Sequence, residues 1–182
     1  MAREFSTVSE VRAFIGLKTT DDDPVLAAII LRTTAWIENY TSRTFLQDTY
    51  SERRDAPGGD TLVLRHRPVT AVASVVLGNP GQAPWTAVPN LDYYFTESSL
   101  VWLRNPPRGR GQVLVNYTAG YEVLPWEIRD ACVQITAWRY KEGRRVAEKS
   151  KLVGNETITY LTDAVPEAVK KTLDQWTNPV YA

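Results

Sequence analysis

The chain has 182 residues, enough for one domain or for one domain carrying a subdomain, with roughly two thirds of its unfolded surface buried on folding. Its 21 lysines and arginines balance 21 aspartates and glutamates, so no global field draws it to nucleic acid or to a membrane, and any DNA contact must come from locally segregated charge. A single cysteine, Cys132, excludes an internal disulfide and a thiolate metal cluster, while the lack of a leader pattern or of an apolar run of about 18 residues implies a soluble protein made in a reducing cytoplasm.

The first segment is helical. Thr7 and Glu10 form a capping box ahead of Val8, Val11, Phe14 and Ile15, and Gly16 closes the short helix. A second helix start follows at Asp23-Pro24, an N-cap with proline at the first helical position. From there Leu26, Ile29, Ile30, Thr33, Trp36, Ile37 and Tyr40 recur at three- and four-residue steps, one apolar face of a helix reaching about Ser42. The run Asp21-Asp22-Asp23 suggests either a divalent ion or, more simply, acids at the positive end of the helix dipole.

After Phe45 the composition changes. Short β-rich runs at residues 61–65, 69–77, 92–96, 100–104 and 112–118 are separated by Pro- and Gly-rich turns. They predict an antiparallel unit of five or six strands inserted between helices. Trp85, Tyr93, Tyr94, Phe95 and Trp102 either pack its core and rim or form a base-stacking platform; the neighbouring Asp92 and Glu97 argue for packing. The run 113–121, VLVNYTAGY, is a half-buried strand that stops at Gly120, and Pro125 then opens a long helix to about Glu142. Ile128, Ala131, Cys132, Ile135 and Trp138 share its apolar face, which makes Cys132 a small core residue.

The fold class read from this order is α+β: a small bundle of amphipathic helices with an inserted antiparallel β subdomain. The parts run 1–46 (helical, first half), 47–118 (β), 119–176 (helical, second half) and 177–182 (tail). Residues 143–153 read as an exposed basic loop, with Arg144, Arg145, Lys149 and Lys151 against a single acid, Glu148. A last helix begins near Val165-Pro166 with Val165, Val169, Leu173 and Trp176 on one face, and the tail carries Pro179, Val180 and Tyr181 with no local core for them.

A search for chemistry returns little. His66, the sole histidine, stands between Arg65 and Arg67 as an exposed edge residue. One histidine and one cysteine put the ordinary zinc ligand sets out of reach. No nucleophile elbow or phosphate-binding loop occurs, and Gly109 and Gly111 lack the Lys-Ser/Thr that would follow in one. Glu127 and Asp130 lie three apart on one helix face, a pair expected to be solvated or bonded to Arg129 or Arg139 and not a glycosidase-like dyad. The reading is therefore non-enzymatic, with no catalytic residue, no metal and no cofactor.

Four stretches together resemble the head–tail connector, or adaptor, family of tailed bacteriophages and gene transfer agents. They are SEVRAFIG at residues 9–16, the helix from Asp23 through TAWIENYTSR at 34–43, LRHRPVTAVASVV at 64–76, and VNYTAGY at 115–121 with its helix. Each is weakly specific; their order and spacing across residues 9–140 carry the resemblance, and residues 144–182 match only loosely. The resemblance implies a virion protein of the neck, a ring of about twelve copies beneath the portal, bound head to tail. Such a ring extends the channel for double-stranded DNA toward a stopper and the tail, without sequence specificity. It also implies that the C-terminal part reaches the portal, which gives Trp176, Pro179, Val180 and Tyr181 as the portal-binding residues. Arg144, Arg145, Lys149 and Lys151 would then face the channel or an acidic portal surface, roughly 36 positive charges per ring at a net +3 per copy. The alternatives are another neck or tail-completion component, a stopper or terminator, and a small cytoplasmic enzyme.

Overall fold

The computed structural model describes residues 4–79, 81, 84–104, 107–148 and 165–177, with side chains of 57 and 145–148 left aside. The fold is α+β, and it divides into two units, one drawn from Met1–Arg43 and Leu124–Ala182, the other from Thr44–Val123.

The first unit is helical: α1 (Val8–Ile15), α2 (Asp23–Thr41), α3 (Trp126–Glu148) and α4 (Glu167–Asp174). The capping box forms as read, with Thr7 accepting from the Glu10 N–H and Glu10 accepting from the Thr7 N–H, and Gly16 ends α1 in the left-handed region at φ 81°. Val11, Leu26, Ile30, Ile37, Ile128, Cys132, Ile135, Val169 and Leu173 are buried. Burial pushes the Cys132 thiol up, and its sulfur lies 3.4 Å from Ser6 Oγ; this is a packed thiol, not a nucleophile.

Two boundaries differ from the sequence reading. The cap of α2 is Asp22, one residue earlier than expected, with no side-chain cap bond. Its carboxylate is engaged elsewhere, accepting from Tyr140 Oη at 2.6 Å and standing 3.5 Å from Arg144 Nη2, while Asp23 pairs with Arg12 at 3.2 Å. The second correction is larger: α3 does not end at Glu142 but continues through Gly143 to Glu148, so residues 143–148 are helix and not loop. A glycine inside a helix costs about 1 kcal/mol relative to alanine but does not stop it unless the backbone turns left-handed. Gly143 is not among the positive-φ glycines. Arg144 lies over the Tyr140 ring at 5.2 Å and bonds Asp22, which fastens that last stretch to the start of α2.

The second unit is a two-sheet β structure. The larger sheet has the order β1-β7-β3-β4, with β1 (Asp48–Pro57), β3 (Val69–Leu77), β4 (Thr86–Ala87) and β7 (Arg108–Ala119); the smaller is β2-β6-β5, with β2 (Thr61–Val63), β5 (Tyr93–Phe95) and β6 (Ser99–Trp102). All these pairings are antiparallel. Between the sheets lie Leu62, Leu64, Val75, Tyr93, Leu100, Trp102, Val113, Val115 and Tyr117. The five or six strands expected become seven among the described residues. The sequence reading missed β1, whose charged stretch of Glu52, Arg53, Arg54 and Asp55 hides any apolar alternation. It is an edge strand, and charge on an edge is how sheets avoid unwanted pairing.

One corner of this unit corrects the reading of His66. It is half-buried, stacked on Tyr50 with ring centroids 3.7 Å apart and planes 6° from parallel. Its backbone N–H donates to Tyr117 Oη at 3.2 Å, and that hydroxyl donates to Glu52 Oε2 at 2.5 Å. The same Glu52 oxygen accepts from the Arg65 N–H at 3.1 Å. Burial is the largest influence on His66 and pushes its pKa down, with Glu52 opposing.

Gly120 closes β7 at φ 109°, and a Cβ there would stand 2.7 Å from the Leu46 carbonyl oxygen and 2.8 Å from Gln47 Cα. Backbone strand and turn meet too closely at this point for any side chain. Gly120→Ala combines a left-handed backbone with a backbone clash, and should cost about 2 kcal/mol or more, read as a fall in the denaturant midpoint. For His66 the sign follows from the depressed folded pKa: the unfolded chain takes up the proton first. Stability should therefore fall as pH drops below the unfolded value of about 6.5, and His66→Gln should flatten that part of a melting-temperature profile between neutral and mildly acidic pH.

Candidate interaction surfaces

The end of α4 is held by α2 in the same unit. Tyr40 Oη donates to Asp174 Oδ1 at 2.6 Å, a bond that with burial pushes the phenol's pKa up. The Arg43 guanidinium lies 5.7 Å from the Trp176 ring centroid, and its Nη1 donates to the Trp176 carbonyl at 3.4 Å. Next to it Trp36 and Tyr40 stack at 5.0 Å, and Arg139 sits over Trp36 at 5.5 Å while donating to Thr33 Oγ1 at 3.1 Å. Trp176, read in the sequence as part of the last helix's apolar face, is thus partly buried with a local partner. Pro179, Val180 and Tyr181 lie outside the described residues.

Of the four basic residues singled out, only the side chain of Arg144 is described. It is 64% exposed even while pairing with Asp22. Arg145 belongs to α3 by its backbone, and Lys149 and Lys151 fall outside the described residues. The acids Asp22 and Asp23 therefore serve the bundle's own cations, and among the described residues no group of three or more His, Cys, Asp or Glu is placed to hold a metal ion.

Glu127 and Asp130 line an open cleft between α3 and α4 with Trp126, Gln134, Val169 and Thr172. The arginines expected to pair with them are engaged elsewhere, Arg129 with Glu10 at 3.3 Å and Arg139 with Thr33. Asp130 instead accepts from Gln134 Nε2 at 2.7 Å. With Asp130 held by a neighbouring amide and the cleft open to solvent, the pair lacks the enclosure a hydrolytic dyad needs.

The aromatic run divides by register. Tyr93 and Trp102 pair across β5 and β6 and face the core edge to face, with centroids 6.4 Å apart. Tyr94 is 49% exposed, and its cross-strand row is Thr61–Val101–Tyr94 on the outward face of the small sheet. Trp85 lies under Arg53 at 4.9 Å. Val63, Tyr94 and Leu103 are exposed, and this outward face also carries Thr61 and, opposite Val63, Ser99. Sequence reasoning placed Tyr94 in core or rim packing because alternation in a three-residue strand cannot say which of its faces meets a second sheet.

No helix among the described residues is long and apolar enough to cross a membrane. Among curated proteins none matches this chain. Solved structures of similar fold come from gene transfer agent particles. One is from the neck of an empty particle computed with C6 symmetry, 20% identical, TM-score 0.64, covering 93% of this chain and 88% of that one. A second, from the virion of a native particle, gives 20% identity and TM-score 0.63 with the same coverage. A third, from the neck of a native particle computed with C12 symmetry, is 20% identical with TM-score 0.53, over 97% of this chain and 94% of that one. Residues 4–178 match the head completion protein family, so nearly the whole of both units is accounted for, and the chain belongs to that family.

Proposed function

We propose that this protein is a structural head–tail connector, a ring of identical subunits beneath the portal that continues the DNA channel toward the stopper and tail. The observation that carries the reading is the match of residues 4–178 to the head completion family, joined to a fold shared with chains from gene transfer agent necks. Physical features of the chain support it. A subunit of zero formal net charge does not repel its copies, and a heterologous contact closes into a ring when its rotation closes. Among the described residues, acids such as Asp22, Asp23 and Asp130 serve partners within the bundle, which supports a shape-and-surface role. A stopper or terminator shares the ring logic, but α2 and α3, at 19 and 23 residues, favour the adaptor.

In this reading the C-terminal end docks on the portal. Arg43 and the Tyr40–Asp174 bond fix where the last turn after α4 leaves the bundle, and Trp176 with Pro179, Val180 and Tyr181 supplies the apolar contact. Arg144 and Arg145 in the last stretch of α3, with Lys149 and Lys151 further along the chain, face the channel, where repeated charge around a ring gives a salt-dependent, sequence-independent contact with phosphates.

Removal of residues 177–182 should abolish binding to purified portal, measured by light scattering with and without portal, and leave the melting temperature unchanged; retained binding overturns the docking assignment. Replacing Arg144, Arg145, Lys149 and Lys151 together by alanine should lower DNA retention in assembled particles while leaving ring formation intact. Normal retention removes the channel role.

A further inference from the structure

The cations of the β unit fall into two groups. Residues 44–123 contain no lysine, so every strong cation of the unit is an arginine. On β1 these side chains are engaged: Arg53 lies over Trp85, while Arg54 donates to the Val63 carbonyl at 3.1 Å and pairs with Glu52 at 3.4 Å. At the connection from β6 to β7 the pattern changes. Arg104, Arg108 and Arg110 are exposed, and among the described residues none of the three is bonded or paired to an acid.

The backbone gathers these three around one turn, residues 58–60 between β1 and β2. Both ends of the β6–β7 connection meet it: the Trp102 N–H donates to the Asp60 carbonyl at 2.6 Å, and Arg108 is the cross-strand partner of Pro57. Arg108 crosses the turn itself. Gly58 has φ 85°, and a Cβ there would stand 2.6 Å from Arg108 Nε and 2.7 Å from its Cγ, so the arginine lies over bare backbone. Arg110 is placed by a bulge. Between the pairs Arg54–Val113 and Ala56–Gly109, Asp55 alone faces residues 110–112, which therefore leave the ladder and turn out of its alternation. Asp55 Oδ1 fastens the bulge by accepting from the Gly111 N–H at 2.6 Å. The other acid at this end, Asp60, accepts from Thr61 Oγ1 at 3.0 Å. Each carboxylate thus has a local bond, and neither answers an arginine.

We propose that Arg104, Arg108 and Arg110 form a phosphate-contacting site for the backbone of a nucleic acid, on the β unit and separate from the basic residues of α3. Guanidinium groups are always charged and present a planar fork that fits phosphate oxygens two at a time. What accompanies the arginines favours phosphates over a protein's carboxylates. The other residues of 104–111 are Asn105, Pro106, Pro107, Gly109 and Gly111. That stretch has no aromatic or long aliphatic side chain to fill a partner's pocket and exclude water, which is where protein contacts concentrate their energy. Leu103, just before it, is exposed but stands alone beside them. Contacts of this composition hold a nucleic acid by charge and read no base. The site needs no ring, because one copy carries all three arginines.

The test is binding of the full chain to a short labelled DNA duplex, followed by fluorescence anisotropy between about 50 and 200 mM salt. Wild type should bind at low salt and weaken steeply as salt rises. Arg104→Gln, Arg108→Gln and Arg110→Gln together should lower affinity at low salt by roughly tenfold or more. They should also reduce the slope of log affinity against log salt by about two to three, at an unchanged melting temperature. Because Arg108 also packs over Gly58, Arg104→Gln with Arg110→Gln is the second variant, and it should reduce the slope by about two. Lysine at all three positions should keep most of the slope. A triple glutamine variant that binds as wild type does overturns the proposal, as does a wild type that binds no duplex at the lowest salt. Tighter binding of wild type to polyglutamate than to a duplex of equal charge overturns it in favour of an acidic protein partner. Binding lost only when Arg144, Arg145, Lys149 and Lys151 are replaced also overturns it, and leaves the channel role of those residues standing.

Discussion

Four alternate side chains of β7, Val113, Val115, Tyr117 and Ala119, all face the core and all are buried. That strand pairs with β1 along one side and β3 along the other, so it is the axis on which the larger sheet is built. Its burial fixes register, because a slip of one residue would turn Val113, Val115 and Tyr117 toward solvent and Leu114, Asn116 and Thr118 inward. Tyr117 adds a polar lock to an apolar strand. Its hydroxyl both donates to Glu52 on β1 and accepts from the His66 backbone, so one phenol ties the edge strand and the segment following β2 to the central strand. At the far end, Gly120 allows the backbone to pass close against Leu46 and Gln47, which places the two covalent links to the helical unit side by side.

The helical unit relies on a different device. Its apolar contacts are ordinary, and its definition comes from tyrosine–carboxylate and arginine–aromatic pairs between helices distant in sequence: Tyr140 with Asp22, Tyr40 with Asp174, Arg43 with Trp176, Arg139 with Trp36. Hydrogen bonds and cation–ring contacts of this kind each add only modest stability. Their directional geometry has a different effect: it sets where α3 and α4 end relative to α2, and thereby where the chain leaves the bundle toward its C-terminus. For a protein that works through surfaces, that positioning is a functional property.

Surface chemistry then separates the faces. The outward side of the large sheet mixes Ser51, Ser74, Asn116 and Thr118 with Val76 and Leu114, while Val63, Tyr94 and Leu103 in the β unit and Val25 and Leu31 on α2 stay exposed. A subunit that assembles with others must expose some surface that a lone monomer would hide, and the cost is tolerable when the patches are modest and free of charge. Marginal exposed patches also fit a subunit whose association strengthens when neighbours or a template bring copies together.

The amino-acid order alone determined the α+β class, the helices opening at Thr7 and near Asp23, the turn at Gly120, the core placement of Cys132, and the family resemblance. These are local properties: capping chemistry, periodicity and backbone permissiveness act within a few residues and leave a pattern in the chain. Only the tertiary structure decided the rest. Edge strand β1 was invisible because an edge position rewards charge, which erases alternation. The basic stretch from Gly143 was read as loop because the partners that hold it helical, Asp22 and Tyr140, include one more than a hundred residues away. Of the candidate surfaces, the tail and the basic residues were legible as composition, but the anchoring of Trp176 by Arg43 was not. The exposure of Tyr94 depends on which side of a three-residue strand meets a second sheet, and that is fixed by long-range packing which no local spacing encodes.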